Sequence, residues 1–129
     1  MGVTVLYSSG DFGVAGNSNL CLNPDGSQTL DGKLFNPSFP GGCPFITSVG
    51  ATQVLPGKKV TDPESACMSV IFSGGGFSNY FAMPEYQKSA VSGYLTKFPP
   101  PYPADIWNST GTSRAFPDLS ANGFVVLYL

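Results

Sequence analysis

The chain has 129 residues, six Lys and Arg against eight Asp and Glu, and no His, for a formal charge of −2 at pH 7. That length supports one modest core, so residues 1–129 read as a single domain. The lack of histidine removes the imidazole base of Ser-His-Asp hydrolases and the His ligands of catalytic zinc sites, and Lys58-Lys59 is too small a basic patch to engage nucleic acid.

In chain order, Met1–Leu6 has neither the charged region nor the long apolar region of a signal peptide, and no apolar run reaches the length of a membrane span. Neither an export signal nor a membrane span is therefore expected. Val3-Thr4-Val5-Leu6-Tyr7 is apolar and β-branched without alternation. It predicts a central parallel strand buried on both faces and stopped by Ser8-Ser9-Gly10-Asp11. From Phe12 to Gly42 the chain is rich in Gly, Asn, Pro and Ser, with turn formers at Asn23-Pro24-Asp25-Gly26 and Phe39-Pro40-Gly41-Gly42. So long an irregular stretch is expected to be functional or pinned, and a Cys21–Cys43 disulfide would pin it in an oxidising compartment, contributing about 3 kcal/mol. Cys67 is then the odd thiol.

Phe45–Val49 and Met68–Phe72 are further short strand candidates, separated by a turn at Pro56-Gly57-Lys58-Lys59. Pro84-Glu85 opens the clearest helix, with Tyr86, Ala90, Val91, Tyr94 and Leu95 on one stripe and Lys97 at its end. Phe98-Pro99-Pro100-Pro101-Tyr102-Pro103 cannot continue it and favours an extended polyproline connector. Asn108-Ser109-Thr110 is a glycosylation sequon, meaningful only in an exported protein. Phe124–Leu129 reads as a last apolar strand.

Several segments invite chemistry. Gly10–Gly16 has glycines at G-x-x-G-x-x-G spacing, but no G-K-[ST] comes after it, so a phosphate cradle is disfavoured. Asn23-Pro24-Asp25-Gly26 lacks the later acidic ligand of a calcium loop, and no metal site is expected. Gly111-Thr112-Ser113 could present a nucleophile, yet Arg114-Ala115-Phe116-Pro117 is a poor helix entry and no base is in view. Asp11, at the end of a predicted buried strand, is the best functional carboxylate, because ligands of α/β sheets gather at such ends. Its rival role is that of an ordinary turn former.

Five blocks occur together and in order: Ser9-Gly10-Asp11-x-Gly13; Phe35-Asn36-Pro37-x-Phe39-Pro40 through Cys43–Thr52; Ser73-Gly74-Gly75-Gly76-Phe77-Ser78-Asn79-x-Phe81; Pro84-x-Tyr86-Gln87; and Arg114–Ala121. The set, over about residues 3–123, resembles the sedolisin family of serine-carboxyl peptidases, which includes tripeptidyl peptidases, and its fungal secreted members most. The resemblance implies an α/β fold, here a partial subtilisin-like parallel sheet with few helices and long Gly/Pro-rich loops, in an extracellular protein. It implies that Asp11 lines the oxyanion hole and that Gly10, Gly13, Gly74, Gly75 and Gly76 wall the substrate pocket. A protonated carboxyl can donate a hydrogen bond to a developing oxyanion, which implies activity in acid.

The family's catalytic Glu and Asp lie upstream of the Ser-Gly-Asp motif and its nucleophilic serine lies downstream of the Phe-Pro-Asp block, so none of the three is expected within these residues. The family's calcium site also lies further on, and no cofactor is expected. The chain is thus expected to be a catalytically silent, truncated peptidase segment. The alternative is a stand-alone secreted binding protein of defence or immunomodulatory type on a peptidase-derived scaffold. Expected partners are a second copy, through exposed strands including Phe124–Leu129, complementary peptidase segments, or a cell-surface ligand.

Overall fold

A computed structural model of the chain describes residues 2–123. It is a mixed α/β structure with strands β1 (Leu6–Ser8), β2 (Cys21–Leu22), β3 (Gln28–Thr29), β4 (Thr47–Gln53), β5 (Ser65–Ala66) and β6 (Gly76–Ala82), helix α1 (Lys88–Lys97), and strands β7 (Ser113–Phe116) and β8 (Leu119–Asn122). β4 is the organising strand. It pairs in parallel with β1, Leu6 opposite Thr47, and with β8, Val49 opposite Leu119, while β5 joins antiparallel at Thr52 and Gln53. Val49 has partners in both β1 and β8, which therefore lie on opposite edges of β4. β6 and β7 form a separate antiparallel pair, and β2 and β3 a short hairpin.

The central-strand expectation for Val3–Tyr7 is corrected. β1 begins at Leu6, pairs only with β4 among the described residues, and is exposed along its length. A uniformly apolar run calls for cover on both faces, and here that cover is missing. The strand expected at Phe45–Val49 starts at Thr47, leaves Phe45 exposed, and continues to Gln53. Met68–Phe72 is not a strand. The Gln53 side-chain oxygen accepts from the Met68 N–H and the Ser69 hydroxyl, and only Phe72 makes a β-bridge, to Phe12. The expected strand at 124–129 lies outside the described residues.

The expected turns form. Gly26 N–H closes onto the Asn23 carbonyl at the tip of the β2–β3 hairpin, and Lys58 N–H closes onto Leu55. Gly26 and Gly57 both have positive φ, the conformation glycine supplies without strain. The helix also forms: Pro84 caps a single 3₁₀ turn over Glu85–Gln87, and α1 continues from it to Lys97, which stands in its last turn. Of its apolar stripe only Val91 is buried.

The disulfide expectation is corrected as well: Cys21, Cys43 and Cys67 are all free thiols. The long loop is pinned instead by amides and hydroxyls. Asn36 Nδ2 donates to the Leu20 carbonyl at 2.9 Å, Leu22 and Leu34 exchange backbone hydrogen bonds, Asn17 Nδ2 donates to Phe39 O, and the Ser38 hydroxyl donates to Ser9 O at 2.8 Å. The interior is small and largely polar. Ala15, Cys67, Phe77, Val91 and Phe116 share it with Ser9, Ser38, Ser48, Gln53, Ser78, Gln87, Ser113 and Arg114.

Candidate functional site

The chain leaves β1 through Ser9, which is buried, with its N–H on the Val49 carbonyl at 2.8 Å. Gly10 then takes a φ of +106°, so the backbone turns sharply where a side chain would be strained. Four backbone bonds clamp the segment from Gly10 to Gly13. Gly74 N–H reaches Gly10 O at 2.7 Å, Phe72 N–H reaches Asp11 O at 2.9 Å, Gly13 N–H reaches Phe72 O at 2.8 Å, and Gly75 N–H reaches Gly13 O at 3.2 Å.

This explains the triple glycine. A Cβ on Gly74 would stand 2.1 Å from Ser9 O, and one on Gly75 would stand 3.1 Å from Phe116 O. Backbone passes directly beneath backbone, and only glycine permits it. Gly10, Asp11, Gly13, Gly74 and Gly75 are therefore brought together. Gly76 sits just beyond, opening β6 opposite Phe116 and facing Pro37.

The Asp11 side chain is exposed, and its carboxylate makes no hydrogen bond or ion pair among the described residues. It borders a cleft of about 350 Å³ whose other walls are Val49–Ala51 of β4 and Ala121–Gly123 at the end of β8. A fixed backbone presenting a free carboxyl beside the C-terminal ends of parallel strands is suited to meeting a ligand rather than to holding the turn.

Arg114 and Asp118 form a second cluster, which in the sequence stands out only as part of a longer block. The Arg114 side chain is 0% exposed and grips Asp118 through two bonds, Nη1 to Oδ1 at 2.5 Å and Nη2 to Oδ2 at 2.6 Å. Asp118 also accepts from Ser48 N–H at 2.8 Å and Gln87 Nε2 at 3.2 Å, and its own N–H donates to Ser48 O. Gln87 adds a two-way pairing with the Ala115 backbone. Burial pushes the Asp118 carboxyl up, but the hydrogen bonds from Arg114 and Ser48, the Arg114 charge and Gln87 together hold it below its ordinary value. The cluster ties β4, β7 and the turn before α1 together; it is structural support. Its sequence signal was an Arg and an Asp four apart, with a Gln behind the helix-opening Pro-Glu.

The remaining candidate positions fall elsewhere. Ser113 is buried in β7, and its hydroxyl has no hydrogen-bond partner, a carboxylate base included, among the described residues, which does not fit a nucleophile. Asn23–Gly26 is the hairpin turn. Asn108 Nδ2 donates to Ser78 O at 2.8 Å and its Oδ1 accepts from the Thr110 hydroxyl at 2.7 Å, so the sequon side chain already brackets its loop to β6. No helix among the described residues is long and apolar enough to cross a membrane.

No family model matches the chain. Individual relatives do. It is 44% identical to Aorsin of Aspergillus oryzae over 95% of this chain and 21% of that protein. It is 40% identical to Tripeptidyl-peptidase SED1 of Arthroderma otae over 94% of this chain and 21% of that one. With Tripeptidyl-peptidase sed4 of Aspergillus fumigatus the identity is 41%, over 98% of this chain and 19% of the relative. The chain spans about a fifth of the length of the curated relatives it matches.

Proposed function

The chain belongs to the sedolisin family, and on that premise we propose that it is the segment of a secreted, acid-acting serine-carboxyl peptidase that carries the oxyanion-stabilising carboxyl, Asp11. The observation that carries this is the clamped Ser9–Gly13 turn, which fixes the backbone of Asp11 while leaving its carboxyl free at the strand ends. In acid the protonated carboxyl donates a hydrogen bond to the oxygen of a tetrahedral intermediate; ionised, it would repel that charge. Gly74 and Gly75 meet the chain's own backbone and hold the turn, while Gly10, Gly13 and Gly76 are assigned to the wall of the substrate pocket on this reading. The parallel β1, β4 and β8 form part of a subtilisin-like sheet on this reading.

The attacking hydroxyl and its base belong, on the same reading, to parts of the peptidase outside these 129 residues. One oxyanion donor is worth about 2.7–4 kcal/mol, and only when an attack takes place. The segment alone is accordingly silent, and its role calls for no metal or cofactor. An acylating serine-directed probe at acidic pH tests this: no covalent adduct is expected, and an adduct on any serine of the chain would overturn the proposal. The exposed edge of β1 also favours pairing with a second copy. Val5→Lys, which places a charge beside that edge, should then lower the association seen by sedimentation.

A further inference from the structure

The ladder between β1 and β4 stops just before Asp11, and two side chains stop it. Thr47 N–H donates to Val5 O at 2.9 Å, and Ser9 N–H donates to Val49 O at 2.8 Å. Parallel strands continue such bonds at even spacing. In the register that sets Ser8 opposite Val49, the next bonds would run from Ala51 N–H to Ser9 O and from Asp11 N–H to Ala51 O. Neither forms. Ser9 O accepts from the Ser38 hydroxyl at 2.8 Å, Ala51 N–H donates to the Ser73 hydroxyl at 2.9 Å, and Ala51 O accepts from Cys67 N–H at 2.9 Å.

Two serine hydroxyls thus take the places that the two strands would give each other. Ser9 and Ser38 are buried, so the Ser9 carbonyl has no water to turn to if the Ser38 hydroxyl is lost. Ser38 is itself fixed, because Gly42 N–H donates to its carbonyl at 3.1 Å and Asn17 Nδ2 donates to the adjoining Phe39 O at 2.7 Å. Ser73 precedes Gly74, the residue whose missing side chain lets the backbone pass against Ser9 O. Without the hydroxyls, Ser9 O and Ala51 N–H are complementary and unpaired. Joining them would draw Gly10 and Asp11 along β4, away from the turn that presents the carboxyl at the cleft.

We propose that Ser38 and Ser73 are positioning residues, whose hydroxyls end the ladder at Ser9 and thereby set where the Asp11 carboxyl stands. This rests on the reading of Asp11 as the oxyanion donor. Neither serine touches the reacting atoms; each acts through the backbone that carries Asp11.

The test is kinetic, in a chimera in which these residues replace the matching segment of Tripeptidyl-peptidase SED1 of Arthroderma otae. Ser38→Ala and Ser73→Ala should each lower kcat for peptide hydrolysis at acidic pH roughly tenfold, inside the ~10²-fold that a misplacement of about 1 Å costs. KM should not change, because the lost interaction belongs to the transition state. In an Asp11→Ala background neither substitution should lower kcat further. Ser38→Thr keeps the hydroxyl and should retain the parent kcat, whereas Ser38→Cys, a weaker donor, should fall below it; this pair decides the matter if an alanine variant fails to fold. Asn36→Ala frees the same loop from Leu20 without touching Ser9, and should lower the melting temperature while leaving kcat unchanged. A loss from Asp11→Ala with none from the serine variants, equal serine losses in both backgrounds, the parent kcat in Ser38→Cys, or an equal loss from Asn36→Ala would each overturn the proposal and leave the role of Asp11 standing. A kcat indifferent to Asp11→Ala would overturn that role and this proposal with it.

Discussion

At Gly74 a missing side chain matters more than most side chains present. A Cβ there would lie 2.1 Å from the Ser9 carbonyl oxygen, and backbone cannot yield as a flexible side chain can. Gly74→Ala should cost stability at or above the upper end of the roughly 1–3 kcal/mol typical of overpacking, read as a lowered urea midpoint, and should displace the Asp11 turn. Asp118 gives a pH-dependent counterpart. Its folded carboxyl is held below the ordinary value of 3.8, so the stabilisation is complete above that pH and is lost as pH falls through the lower folded value. Thermal unfolding measured from pH 7 to 2 should show this loss. Asp118→Asn should remove that part of the profile and, by leaving Arg114 buried without its counter-charge, cost about 3 kcal/mol at neutral pH. The sequence made Asp11 and the glycines conspicuous because turn chemistry is local. Arg114 and Gln87 were not legible, because their value comes from meeting Asp118 and Ser48 across distant parts of the chain.

Among the elements, the helix and the tight turns could be read from Pro84-Glu85, Lys97, Asn23–Gly26 and Pro56-Gly57, where a cap or a positive φ leaves a signature in a few residues. The strands were harder. β6 and β7 have no alternating pattern, since Ser78, Ser113 and Arg114 are buried polar positions that a hydrophobic period does not detect, and β8 buries none of its residues. Met68–Phe72 had the composition of a strand, but its start is bound to the Gln53 side chain, which accepts from the Met68 N–H and the Ser69 hydroxyl, and only Phe72 pairs with another strand-like residue. The stretch from Phe12 to Gly42, expected to be functional or pinned, is held by Asn36, Asn17 and Ser38 rather than by sulfur. Thiol titration of the denatured, unreduced chain should therefore count three free cysteines, and a reductant should leave the melting temperature unchanged; one thiol and a reductant-sensitive melt would restore the disulfide.

For the molecule as a whole, the parallel order of β1, β4 and β8 places Asp11 and Gly123 on one cleft, at the strand ends where an α/β sheet receives its ligands. It also leaves β1 exposed, which fits a segment spanning about a fifth of its relatives. On the proposed reading, parts of the peptidase outside these residues cover that edge and provide the attacking group. The most direct measurement is made on a chimera in which these residues replace the matching segment of Tripeptidyl-peptidase SED1 of Arthroderma otae, comparing kcat for peptide hydrolysis at acidic pH with and without Asp11→Ala. The chimera should hydrolyse peptide, and Asp11→Ala should lower kcat by about 10²–10³-fold, the range for loss of one oxyanion donor. An active chimera whose kcat is untouched by Asp11→Ala would contradict the role given to this carboxyl.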